Sequence, residues 1–188
     1  MDGGKIAVRP MRREDAEVFA REEIAQGWIY ASPEKLLARM ADAEKGLCAA
    51  WTAELDGVPA GYVSLYYRPG DGPFAGKGIP EIVDMDVLEK FRRRGVASAL
   101  VSRMLVLMPA GDVSVTTFRA GDAKGAAPRA LYARFGFEPA EELMEFDYPV
   151  QRMVLRAERR AGEGRGDARP DAAQHMEEAD GNQEGRVH

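Results

Sequence analysis

Between residues 94 and 108 the apolar positions Ala97, Leu100, Val101, Met104, Leu105 and Met108 recur three and four apart. That spacing predicts an amphipathic helix, which Pro109 ends. A second helix is marked at its start: Ser32 suits the N-cap, Pro33 the first helical position, and Leu36, Leu37 and Met40 share a face before Gly46 closes it. A further helix is expected over 14–26, and another from Pro128 through Leu131, Tyr132 and Phe135 to Gly136. Strand-like runs at 47–55 and 58–67 are joined by Asp56 and Gly57, the pair that supplies the positive backbone angles of a tight hairpin. Shorter strands are expected at 5–9, 81–87 and 112–118, with two extended pieces at 143–148 and 150–155 broken by Pro149. Residues 69–80, rich in glycine and proline, read as a loop. This order of strand, two helices, three strands, helix, strand, helix and a last pair of strands implies an α/β or α+β sheet covered by helices on both faces.

The strand at 81–87 is unusual in carrying aspartates. Strict alternation sets Val83, Met85 and Val87 on one side and Ile82, Asp84 and Asp86 on the other.

The 188 residues suit one domain or one domain with an appendage. From 157 to 188 there is no Phe, Trp or Tyr, and eight acidic residues face five arginines, a net of −3. Such a segment cannot bury enough apolar surface to offset the entropy of ordering it. The expected organisation is therefore a folded domain over 1–156 and a disordered acidic tail over 157–188, with folding on a partner as the tail's alternative. The overall charge of −5 argues against general nucleic-acid binding.

Both histidines, His175 and His188, fall in the tail, so imidazole-based triads, His-ligated metals and His general bases are excluded from the folded part. Cys48 is the one cysteine, which leaves no intrachain disulfide; within the apolar run 47–51 it reads as a buried thiol rather than a nucleophile. No signal-like start and no membrane-length apolar run is present, so a soluble, cytoplasmic protein without metal or membrane partner is expected. Gly76 and Lys77 do not make a phosphate loop of the nucleotide-triphosphatase kind, because the earlier glycine position is Asp71 and the hydroxyl position is Gly78.

The run from Lys90 to Arg94 stands at the positive end of the helix at 94–108, where consecutive arginines are unfavourable by themselves. Either an anion resolves the conflict, with Gly95 and Ala97 small enough to let a phosphate reach the first-turn amides, or the run is a solvated basic corner.

The strand at 81–87, its spacing to Arg92, Arg93, Arg94, Gly95, Val96 and Ala97, and the helix that follows resemble the central acyl-CoA motif of the GNAT N-acetyltransferase superfamily. Leu131 and Tyr132 followed by Gly136 and Phe137 resemble that family's second motif. The resemblance spans residues 6–155. It implies a mixed, mostly antiparallel sheet of about six or seven strands, splayed at the fourth, with about four helices on both faces. It also implies acetyl-CoA as acyl donor, its pantetheine arm paired with Met85, Asp86 and Val87 and its pyrophosphate on the amides from Arg92 to Ser98.

The implied reaction is transfer of acetyl to a primary amine, whose ammonium form must lose a proton before it attacks the thioester carbon. Glu81 resembles the family's strand glutamate in its interval to Arg92, with Asp84, Asp86 or a water chain as alternatives. Tyr132 matches the family's proton donor to the departing sulfur, and a backbone N–H near Val87 would polarise the thioester oxygen. Where many members carry an asparagine seven residues before this tyrosine, the chain has Gly125. Trp28, Ile29 and Tyr30 match a region that often lines the acceptor pocket, and Tyr66, Tyr67 and Phe74 are further candidates. The acceptor is a small-molecule or peptide amine, and homodimers are common in the family. The rival readings are a non-catalytic acyl-CoA sensor and an anion-binding corner.

Overall fold

The computed structural model describes residues 4–28, 31–69, 78–108, 110–145 and 147–159. Ile29, Tyr30, Phe74, Gly76, Lys77 and the tail from residue 160 onward, with both histidines, lie outside the described residues. The strands are β1 (Ile6–Pro10), β2 (Cys48–Leu55), β3 (Val58–Tyr66), β4 (Glu81–Val87), β5 (Val113–Phe118), β6 (Glu138–Glu145) and β7 (Tyr148–Leu155). They form one sheet in the order β1-β2-β3-β4-β5-β7-β6. The helices are α1 (Arg13–Ala25), α2 (Pro33–Glu44), α3 (Val96–Leu107) and α4 (Ala126–Arg134).

Local chemistry sets most of these boundaries. Asp56 and Gly57 both take positive φ, 53° and 80°, as a hairpin whose turn matches the twist of its strands requires. Ser32 Oγ accepts from the Lys35 amide at 3.3 Å and starts α2. Apolar burial covers both faces of the sheet. The larger cluster gathers Leu100, Val101 and Met104 of α3 over Val63, Leu65, Ile82 and Val113, with Tyr132 and Phe137 joining from the end of α4. The smaller lies beneath α1 and α2, around Phe19, Leu36, Ala50 and Tyr62.

Two boundaries differ from expectation. Helix α3 begins at Val96, not Arg94, because Arg93 (φ 60°) and Gly95 (φ 87°) are left-handed and the chain cannot be helical through them. The last two strands meet at a turn near Asp147 rather than at Pro149, which lies inside β7 opposite Met144. β7 pairs with β5 only from Val150 on, so Pro149 is spared the ladder position its missing N–H would spoil. The first half of β6, residues 138–142, was not expected as strand, because it is largely exposed edge with no apolar alternation.

The feature that organises the rest is the junction of β4 with β5. Among the described residues this is the one parallel pairing in the sheet, and it holds at two positions only, Glu81 with Ser114 and Ile82 with Val115, after which the strands part. On its other edge β4 stays paired with β3 as far as Val87 opposite Gly61. Gly61 makes that approach possible: a Cβ there would lie 2.7 Å from the Asp86 carbonyl oxygen and 3.0 Å from Val87 Cγ2. Because the nearest obstacle is backbone, Gly61→Ala is expected to cost about 1–3 kcal/mol, the range of overpacking changes. Thermal unfolding measures this, and an unchanged midpoint would show that β3 and β4 part without cost.

Candidate active site

A register shift in β4 decides which side chains meet. Ser64 pairs with Asp84 but Leu65 pairs with Ile82, so Val83 is an extra residue, a bulge. Side chains therefore change sides across Val83. Ile82 joins Met85 and Val87 on the α3 face. Glu81, opposite Tyr66, shares the α1/α2 face with Asp84 and Asp86. The expected alternation, which set Glu81 against the two aspartates, is thus corrected by one inserted residue.

On this face the sequence-predicted carboxylates sit in a polar floor. Glu81 is 5% exposed and accepts from Thr116 Oγ1 at 3.1 Å. Asp84 is held by Arg39 Nε at 2.9 Å and by Lys35 Nζ at 3.6 Å. Asp86 lies 3.7 Å from Arg92 Nη2, while its Oδ2 is buried with no hydrogen-bond partner. Tyr62, next to Asp86 across the strands, donates its hydroxyl to Glu23 at 2.5 Å. Burial first, then the Glu23 charge, hold that phenol well above its ordinary titration range. Tyr66 donates to Asp42 at 2.6 Å and receives Arg39 Nη1 at 2.9 Å; burial and Asp42 push it up to about 12. Cys48 lies nearby with its thiol donating to the Arg39 carbonyl at 3.2 Å, and burial pushes it up to about 11, which is the behaviour of an inert thiol.

Glu23, Lys35, Arg39 and Tyr62 were not anticipated. Their signal was present only in fragments: Tyr62, Ser64 and Tyr66 alternate along β3, and Lys35 and Arg39 stand four apart on α2. Trp28, expected beside the acceptor, is 55% exposed just past the end of α1, while Tyr30 is outside the described residues.

The other side of the gap is built differently. Leu88 N–H bonds the Ala60 carbonyl, so by alternation the N–H groups of Met85 and Val87 point away from β3 into the splay. The Val87 carbonyl takes Arg92 Nε at 2.9 Å, so Arg92, bound also to Asp86, straps the turn to the strand end. Past it, the left-handed pair Arg93 and Gly95 turns the chain into α3, whose first intrahelical bond is Ala99 N–H to the Gly95 carbonyl. The amides of Val96, Ala97 and Ser98 therefore project from the helix end, where no side chain caps them and the first turn holds no acidic residue. Amides, helix dipole and guanidinium groups make this end suited to a polyphosphate anion.

Tyr132 belongs to the α3 side. It is 3% exposed, with its ring 5.5 Å from that of Phe137, and burial raises its pKa, so the hydroxyl stays protonated. Glu81 and Tyr132 thus stand on opposite faces of the sheet. Gly125 is explained by packing: a Cβ there would lie 2.8 Å from Phe118 Cβ and 3.2 Å from the Arg119 carbonyl oxygen, so no asparagine fits. A cavity of about 410 Å³ lined by Tyr67, Arg68, Pro80 and Asp112 lies at the far, paired end of β4 and β5 and holds none of these groups. Among the described residues no helix is long and apolar enough to cross a membrane.

Comparison with known proteins agrees with this architecture. No curated protein sequence matches the chain. Among solved structures, Ard1 from Thermoplasma volcanium matches with a TM-score of 0.62 at 19% identity, over 80% of this chain and 97% of that one. The PaiA N-acetyltransferase from Thermoplasma acidophilum in complex with coenzyme A matches at 0.61 and 16%, over 81% and 99%. The protein yncA from Salmonella typhimurium, with its cofactor acetyl-CoA, matches at 0.61 and 18%, over 89% and 99%. At such identities the likeness speaks for the fold. The sequence model of the acetyltransferase (GNAT) family matches residues 14–137, most of the described chain, and by that match this chain belongs to the GNAT acetyltransferase family.

Proposed function

We propose that the chain is an acetyl-CoA-dependent N-acetyltransferase that passes acetyl directly to a primary amine. The observation that carries this reading is the splay itself: β4 opens from β5 after Ile82, with amides facing the gap, cations and a helix end on one side, and carboxylates on the other. Acetyl-CoA supplies an acyl group already activated as a thioester. The residues present fit it: Met85 and Val87 offer unpaired strand amides to the pantetheine arm, and Val96 to Ser98 offer helix amides to the phosphates.

Glu81 takes a proton from the substrate's ammonium group as it approaches from the α1/α2 face; the freed nitrogen bonds to the thioester carbon, and the second proton it sheds there makes good the one that Tyr132 gives up. The N–H of Met85 or Val87 donates to the thioester oxygen as charge builds there. Tyr132 gives its proton to the sulfur as the carbon–sulfur bond breaks. The floor of Glu23, Glu81 and Asp86 suits a cationic acceptor, and the buried, unpartnered Asp86 Oδ2 can receive one of its N–H groups.

Thiol release from acetyl-CoA, measured against a panel of primary amines, tests this. Turnover is expected only with both substrates present. Tyr132→Phe is expected to reduce kcat by about 100-fold, the low end of general-acid effects, with KM for acetyl-CoA unchanged. Unaltered kcat would make Tyr132 a packing residue. Acetyl-CoA binding without turnover on any amine would favour the non-catalytic sensor.

A further inference from the structure

Glu23, in the last turn of α1, is 5% exposed, yet among the described residues no cation stands within ion-pair distance of it. Its carboxylate is held by the Tyr62 hydroxyl. A buried carboxylate without a counterion is costly until something cationic joins it. Two more oxygens on the same face of the sheet are unspent: Ser64 Oγ, in a residue 0% exposed, and Asp86 Oδ2 are both buried with no hydrogen-bond partner. Tyr62 pairs with Asp86 and Ser64 with Asp84, so Ser64 and Asp86 are diagonal neighbours beside Tyr62. Arg92 Nη2 stands 3.7 Å from Asp86, beyond hydrogen-bond range, and its Nε is spent on the Val87 carbonyl.

The rest of the floor is different. Asp84 is already neutralised by Arg39 at 2.9 Å and Lys35 at 3.6 Å, so the stretch between Glu81 and Asp86 offers no further place for a cation. Glu81 pairs with Tyr66 and Asp86 with Tyr62, four residues apart on β3, which sets the two carboxylates about 13 Å apart at about 3.3 Å per residue. With a nitrogen about 3 Å inside each, about 7 Å remains between the nitrogens, the span of an extended chain of four or five carbons.

We propose that the acceptor is an aliphatic α,ω-diamine of four or five carbons: one nitrogen is acetylated beside Glu81, and the other, as ammonium, is held by Asp86 Oδ2, Ser64 Oγ and Glu23. This rests on the acetyl-transfer reading above and names its substrate class. A buried water bridging Ser64 and Asp86 is the competing explanation; it satisfies both oxygens but leaves Glu23 without a counterion. The diamine has a further consequence. Acetylation turns one ammonium into a neutral amide, and reversing the product would set that amide against Glu23 and Asp86, so the reaction stops at the monoacetylated diamine.

The test is thiol release from acetyl-CoA by the full-length protein, with α,ω-diamines of increasing length and with 1-aminobutane and 1-aminopentane, the products being weighed by mass spectrometry. In the wild type, kcat/KM is expected to peak at 1,4-diaminobutane or 1,5-diaminopentane, at least about tenfold above the monoamine of equal length, because the second ammonium makes charge-assisted hydrogen bonds. Glu23→Gln and Asp86→Asn keep the side-chain shapes and should each cut the diamine-to-monoamine ratio at least about fivefold, with Ser64→Ala costing about two- to threefold. A wild-type ratio near one, no dependence on chain length, or a diacetylated main product overturns the diamine while leaving acetyl transfer intact, and needs no variant. An unchanged ratio in both carboxylate variants overturns the place assigned to the second ammonium. Acetyl-CoA bound with no amine acetylated overturns the acetyl-transfer reading and the diamine with it.

Discussion

Glu81→Gln is expected to lower kcat by about two to four orders of magnitude, the usual contribution of a positioned general base. Acetyl-CoA affinity and the thermal midpoint should stay at their wild-type values. Glutamine keeps the shape of the side chain and can still accept from Thr116 Oγ1, while it removes the carboxylate's proton-accepting capacity. The neighbours are poor substitutes as they stand: Asp84 is engaged by two cations and Asp86 is shared with Arg92. Single-turnover rates with saturating acetyl-CoA and amine would measure the chemical step apart from binding. A kcat within twofold of wild type would remove Glu81 from the role and pass it to Asp84, Asp86 or a water chain, for which Asp84→Asn and Asp86→Asn are the next variants.

The second large effect is expected at Gly95. At φ 87° any other residue is strained by about 1–2 kcal/mol, and Gly95→Ala should show that cost in its unfolding midpoint. An added Cβ meets only Ile6 Cδ1, at 3.4 Å, an ordinary contact, so strain rather than collision dominates for alanine. Gly95→Trp adds bulk over the amides of Val96 to Ser98 and should weaken acetyl-CoA by more than about 100-fold, beyond about 2.7 kcal/mol of binding free energy. Calorimetry on both variants separates the two effects. Retained affinity in a folded Gly95→Trp would show that the phosphates do not sit on this turn.

Much of the candidate site could be read from residues close in sequence because its parts are local. The cluster from Arg92 to Ser98, Gly95 at its positive φ, and the stripe that makes α3 amphipathic all lie within one turn and one helix. The acceptor side was far less legible. Tyr62 finds Glu23, Arg39 finds Asp84, and Thr116 finds Glu81, each across more than 25 positions of chain. No periodicity announces such partners, since a polar residue on a strand reads the same whether it faces water or a buried carboxylate.

The sequence by itself determined the helices, the hairpin at Asp56 and Gly57, and the boundary residues Ser32 and Pro33, because hydrophobic spacing and backbone preferences act over a few residues. Tertiary structure alone decided three things. The bulge at Val83 turned Glu81 to the face of Asp84 and Asp86, since strand register is set by the partner strand and one inserted residue reverses every side chain before it. Packing of the turn before α4 against the end of β5 required glycine at 125. The meeting of Glu23 with Tyr62 depends on how α1 settles on β3, a distance that neither element encodes alone.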